Sequence, residues 1–109
     1  MGLEKLVWHD QLWAIAAEHS KNMASGEVEF GHDGFSQRFK RFPFRGHKKG
    51  AENVGYYLGP QNPCAAVVNG WINSPGHRKN LVGNYRYMSV AVAINDKGFY
   101  YFTQLFAIN

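Results

Sequence analysis

The chain reads as one α+β domain, with helices in its first two-thirds packed on an antiparallel sheet supplied by its end. Three observations carry this. Residues 8–25 and 62–72 space their apolar side chains at helical intervals, whereas Tyr85–Ile94 and Phe99–Ile108 are rich in β-branched and aromatic residues. The strand-like runs are adjacent and follow the helices, so the elements do not alternate as they would in a parallel α/β sheet. The length of 109 residues, with 45% apolar and 16% aromatic content, suits a single folded unit spanning 1–109.

Each element has its own signature. In 8–25, Leu12, Ile15, Ala16, His19 and Met23 share one helical face. Asp10 sits where a carboxylate meets the helix N-terminus, and Gly26 is a natural left-handed stop. Residues 26–34 form a connector carrying Gly31, His32 and Gly34. A short helix follows from Phe35 to about Phe42, ended by Pro43. Phe44–Gly55, with three glycines, reads as loop with a short extended piece around Glu52-Asn53-Val54. Asn62-Pro63 opens the next helix, on which Cys64, Val67, Val68, Trp71 and Ile72 form the apolar face. Ser74-Pro75-Gly76 breaks it, and His77–Leu81 adds one more turn. Asn95-Asp96-Lys97-Gly98 joins the closing hairpin.

Composition narrows the function classes. No apolar run is long enough for a transmembrane helix, and Glu4, Lys5, Asp10 and Glu18 exclude a signal-peptide core from residues 1–20. Cys64 is the only cysteine, so no internal disulfide forms; its apolar surroundings read as those of a buried small hydrophobe. The net charge is +4. Arg38, Lys40, Arg41, Arg45, Lys48 and Lys49 cluster with Phe39, Phe42 and Phe44, which reads either as a solvated loop or as a contact for an anionic surface. No nucleic-acid-binding motif, nucleophile elbow or phosphate loop is present.

Three polar residues beside glycines or structural breaks are the candidate chemistry: His32, Glu52 and His77. Two imidazoles and a carboxylate can hold zinc with an open position for water. The same three side chains can instead form a neutral hydrogen-bonded cluster. Spacing leaves both open. His19, on an apolar helix face, reads as a satisfied core histidine, and His9 and His47 as surface residues.

Taken in order, several segments resemble one family. Trp8-His9-Asp10-Gln11-Leu12 with Ala16–Met23, then Gly31-His32-Asp33-Gly34-Phe35 with Arg38, then Ala51-Glu52-Asn53-Val54, then Trp71–Leu81 containing Asn73-Ser74-Pro75-Gly76-His77, and finally Tyr100–Phe106 are similar to segments of bacterial-type CAP domains, the SCP-like or pathogenesis-related class 1 fold. The resemblance runs from about Leu6 to Phe106. It implies an α-β-α sandwich with a central antiparallel sheet, and a cleft where His32, Glu52 and His77 converge, with Ser74 or Asn73 nearby. It also implies a location outside the cell or at its envelope. A second glutamate frequent in the family has no counterpart in Ile72–Gly76, which reduces the donor set for zinc. Only seven residues precede Trp8, where the family has a further helix; either the sequence begins late, or this is a shortened member in which an apolar strip would lack cover.

Three functions compete. One is a binding module for lipid, sterol or another small ligand, with Phe35, Phe39, Phe42, Phe44, Tyr56 and Tyr57 able to line its groove, although for most of them the core of a small domain is the favoured place. The second is a zinc-assisted hydrolase with Glu52 as base. The third is a structural or signalling domain in which the cluster only fixes loops. The sequence leaves the oligomeric state open.

Overall fold

The computed structural model describes residues 6–44 and 48–108. The chain runs β1 (Val7–Trp8), α1 (Asp10–Ser25), α2 (Phe35–Lys40), β2 (Lys49–Tyr57), α3 (Pro63–Ile72), α4 (Pro75–Leu81), β3 (Tyr87–Ile94) and β4 (Tyr100–Ile108). The α+β class is as expected. The sheet, however, is mixed. Its order is β1-β3-β4-β2, with β1 parallel to β3 and the other pairs antiparallel. Trp8, expected as the first residue of the helix 8–25, is instead extended, and Val7 and Trp8 lie beside Tyr87 and Met88.

The helix α1 buries the expected stripe, Leu12, Ile15, Ala16, His19 and Met23, together with Ser20. Gly26 ends it at φ 82°. Asp10 lies in the first turn, but its carboxylate accepts from the Trp8 indole (3.1 Å) rather than capping amides. α3 begins as its sequence dictates, with Asn62 Oδ1 accepting from the Ala65 amide and Pro63 in the first turn. Only Val67 and Trp71 of its apolar residues are buried. Val68 and Ile72 are exposed, as are Val92 and Ile94 on β3, so an apolar strip lies open. Cys64 is exposed too, against expectation: with Val68, Trp71, Val90, Val92 and Phe102 it lines an apolar hollow of about 130 Å³.

The main departure is β2. A nine-residue strand occupies a stretch whose glycines read as loop. Those glycines serve contact rather than turning. A Cβ at Gly50 would lie 2.7 Å from the Phe42 ring, and one at Gly55 would lie 2.8 Å from Val67. Glycine lets α2 and α3 approach the strand this closely.

Strand register assigns the faces. Side chains directly opposite in an antiparallel pair share a face. Glu52 pairs with Leu105, which packs with Leu12 and Ile15 of α1. Asn53 and Gly55 pair with Gln104 and Phe102, and Phe102 packs with Val67 and Trp71 of α3. Helices therefore cover both faces, and β2 is an edge strand between them. Phe35, Phe39, Phe42 and Phe44 belong to the α1-side core, the place favoured for most of these aromatics, and not to a ligand groove.

Candidate functional site

Glu52 is the centre of the first cluster. It lies on β2 facing α1, and its side chain is 1% exposed. Arg38, from α2, grips it with both arms: Nε donates to Oε2 and Nη2 to Oε1, each at 2.7 Å. The Arg38 side chain is itself only 9% exposed, and its remaining donors meet the carbonyls of Asp33 (2.8 Å) and His32 (3.1 Å). Such a paired fork is the strongest common ion-pair geometry and also fixes the loop that carries His32. Arg38 therefore does not belong among the exposed cations where sequence order placed it.

His32 completes this cluster, with Nδ1 3.0 Å from Glu52 Oε1. A carboxylate held by arginine is an acceptor only, so His32 Nδ1 carries a proton and donates it to Glu52. The His32 side chain is half-exposed. Its loop is anchored from behind by His19, whose ring Nε2 donates to the Gly31 carbonyl (2.8 Å). His19 is the buried, satisfied histidine expected from its helix face, and burial holds its pKa below the ordinary 6.5. His9, expected at the surface, is half-buried between the rings of Phe44 and Tyr87. His47 lies outside the described residues.

His77 belongs to a second cluster, built on α3 and α4. It sits in α4, its Nδ1 is 3.0 Å from Ser74 Oγ, and its ring stacks on Trp71. The Trp71 indole donates to the Val54 carbonyl (3.0 Å), and Asn80 Nδ2 to the Glu52 carbonyl (3.3 Å) and Asn53 Oδ1 (2.8 Å). Asn53 Nδ2 returns a bond to the His77 carbonyl (3.2 Å). These bonds satisfy outward carbonyls of the edge strand and tie α3 and α4 to it. His77 is thus linked to the Glu52 strand through backbone and amides, while its ring partners are Ser74 and Trp71. Of the two neighbours expected, Ser74 is in place; Asn73 is exposed and bonds the Asn69 carbonyl instead.

Beside His77 lies an open groove of about 260 Å³ along β2 and α3. Phe30, Tyr56, Val67 and Trp71 form its apolar walls, Gly55 and Gly70 its space, and Ser74 and His77 its polar end. Phe30 packs edge-on to Tyr56 at 4.8 Å. Of the aromatics expected to line a groove, Tyr56 and Tyr57 do so; Phe30 and Trp71 were not expected there. The signal for Trp71 was the nearby Gly55, which makes room for its ring.

The expected zinc ligands do not make a donor set. Among the described residues, no group of three His, Cys, Asp or Glu could hold a metal ion. Glu52 spends both oxygens on Arg38, and the His77 ring has Ser74 and Trp71 as its partners.

This fold and these clusters define a protein class. The family described as "CAP: Cysteine-rich secretory protein family" matches residues 1–106, and the chain belongs to it. It is 35% identical, over 96% of its length, to the "Uncharacterized membrane protein YlbC" of Bacillus subtilis (strain 168), of which it covers 29%. It is also similar in structure to a cysteine-rich secretory protein from Staphylococcus aureus subsp. aureus Mu50, with a TM-score of 0.74, 27% identity, and 99% of this chain and 33% of that one covered. An outer surface protein of Borrelia burgdorferi shares the fold at a TM-score of 0.70 and 20% identity, with 96% of this chain and 78% of that one covered. The chain spans about a third of the first two relatives.

Proposed function

We propose that this domain binds a slim amphipathic lipid, such as a fatty acid or one edge of a sterol, in the groove between β2 and α3. The observation that carries this reading is the groove itself: aromatic and aliphatic walls ending at one imidazole–hydroxyl pair, His77 with Ser74. Apolar concavities with few polar groups are the usual form of small-ligand sites. At about 260 Å³ it lies below the common range of roughly 300–1,000 Å³, which favours a narrow ligand. The polar head would meet His77 and Ser74.

The arrangement favours binding over hydrolysis. A general base must reach the proton it removes. The Glu52 carboxylate is buried and accepts three hydrogen bonds, two of them from a guanidinium. A purely structural role accounts for the Arg38–Glu52–His32 cluster but leaves the exposed Phe30 and Tyr56 walls without a purpose. The names of the relatives, a membrane protein, a secretory protein and an outer surface protein, support placing this domain at or outside the cell envelope. Among the described residues, no helix is long and apolar enough to cross a membrane.

Gly70 supplies the test. It lines the groove, and a Cβ there meets nothing within 4 Å. Gly70→Leu should fill the groove without strain and add about 0.5–1 kcal/mol of helix propensity. Calorimetry with laurate and with cholesterol sulfate should show saturable binding that Gly70→Leu weakens roughly tenfold or more, with the melting temperature unchanged or raised. Unaltered affinity in this variant, or no saturable binding by the parent, removes the proposal.

A further inference from the structure

The cations of residues 40–49 are not a random solvated run once folded. β2 and β3 start at the same end of the sheet, where Lys49 is opposite Ile108 and Tyr87 opposite Ala107. There Lys48 lies over the Phe39 ring (5.0 Å), Lys49 over Tyr85 (5.6 Å) and Arg86 over Tyr87 (5.6 Å). Lys40 adjoins them, its carbonyl facing Lys48 Nζ at 3.5 Å. Among the described residues, none of these four cations takes part in an ion pair; Arg41 does, with Glu18. Aromatic rings position the charges without neutralising them.

Apolar residues sit in the same place. The Val7 amide donates to the Arg86 carbonyl (2.8 Å), and Val7 and Trp8 are 48% and 49% exposed. Asp10 lies beside Trp8, its carboxylate accepting from the indole. Asp96 is at the far end of the sheet in the β3–β4 turn, and Glu27 and Glu29 flank Phe30, which packs on Tyr56 and Tyr101 toward that same end. Lys21, beside Asp96, and Lys97 stand at that far end with these acids, whereas the near end gathers Lys40, Lys48, Lys49 and Arg86.

We infer that this end of the sheet docks on an anionic lipid bilayer, with Lys40, Lys49 and Arg86 at the headgroups and Val7 and Trp8 in the interface. Cations beside a membrane of acidic lipid each contribute on the order of a fivefold gain in partition. Tryptophan favours the headgroup boundary, where its ring is buried and its N–H stays polar. An acidic polymer would use the cations but gain nothing from Val7 and Trp8. The inference rests on this surface alone and is independent of the groove.

Flotation with phosphatidylcholine vesicles, with and without phosphatidylglycerol, tests it. Binding is expected only with phosphatidylglycerol, and should weaken as salt is added. Lys49→Glu with Arg86→Glu should reduce it roughly 25-fold or more. Lys21→Glu with Lys97→Glu makes the same charge change at the far end, where Lys21 lies beside Asp96, and should leave binding within about threefold. Trp8→Ala should weaken it several-fold. Equal losses in both charge variants would reduce the effect to net charge and overturn the inference. So would equal binding to phosphatidylcholine alone, or dextran sulfate binding that matches the vesicles while Trp8→Ala changes neither.

Discussion

Replacing Arg38 by methionine leaves the Glu52 carboxylate buried without its cation. The side chain that loses its partner is 1% exposed, so water cannot take the place of the guanidinium. Breaking a buried pair from one side costs about 3–5 kcal/mol. Arg38 also holds the carbonyls of His32 and Asp33, so the upper half of that range is expected. Against a total stability of roughly 5–15 kcal/mol this is a large fraction. At about 4–8 °C per kcal/mol for a domain near this size, the melting temperature should fall by more than ~16 °C. Arg41→Met is the control, because the Arg41–Glu18 pair is about half exposed on both sides and such pairs contribute roughly 0–1 kcal/mol. Pairing Arg38→Met with Glu52→Leu should restore most of the loss, since an apolar replacement of both partners removes the uncompensated charge. Urea unfolding followed by circular dichroism reads all four proteins. A loss below ~1 kcal/mol in Arg38→Met, equal to that of Arg41→Met, would refute the buried clamp.

Two further outcomes follow from burial and close packing. Burial lowers the His19 pKa below 6.5, so the unfolded ring takes up a proton at a pH where the folded ring does not. The unfolded state then binds more protons, and stability falls as pH drops through 6.5 toward the folded value. His19→Gln, which keeps a donor for the Gly31 carbonyl, should flatten the dependence of the urea midpoint between about pH 7.5 and 5; an unchanged slope contradicts a buried neutral ring. Gly55→Ala puts a methyl 2.8 Å from Val67 and 3.2 Å from the Trp71 indole nitrogen. Overpacking of this kind should cost about 1–3 kcal/mol and lift α3 from β2, visible as faster hydrogen exchange at the Trp71 indole; a neutral substitution would show that α3 has slack.

Much of the fold was legible because local chemistry and tertiary role agree. The α1 stripe, the Gly26 stop, the Asn62-Pro63 start and the closing hairpin all appear where side-chain spacing and turn residues place them. Asn95 Oδ1, accepting from the amides of Lys97 and Phe99, is the turn chemistry its sequence promised. β2 was not legible at full length because Gly50 and Gly55 weaken strand propensity while serving packing that only the folded chain reveals. The parallel strand β1 was hidden for a related reason: two residues carry no periodicity, and their partner lies some 80 residues on. At the site, Glu52 and His32 were singled out and do meet. Arg38 was counted with surface cations because charge runs resemble solvated loops, yet the carboxylate opposite it draws it inward. Cys64, Val68 and Ile72 show the converse, apolar residues at helical spacing that lie outside the narrow stripe α3 buries.

The three tryptophans offer the most direct measurement of where a lipid goes. Trp71 walls the groove, whereas Trp8 and Trp13 are exposed elsewhere. In a laurate titration followed by the indole N–H and histidine ring resonances, Trp71 and His77 should move together and saturate, with Trp8 and Trp13 still. Movement of Trp8 or Trp13 alone, with Trp71 and His77 unmoved, would contradict a lipid site between β2 and α3.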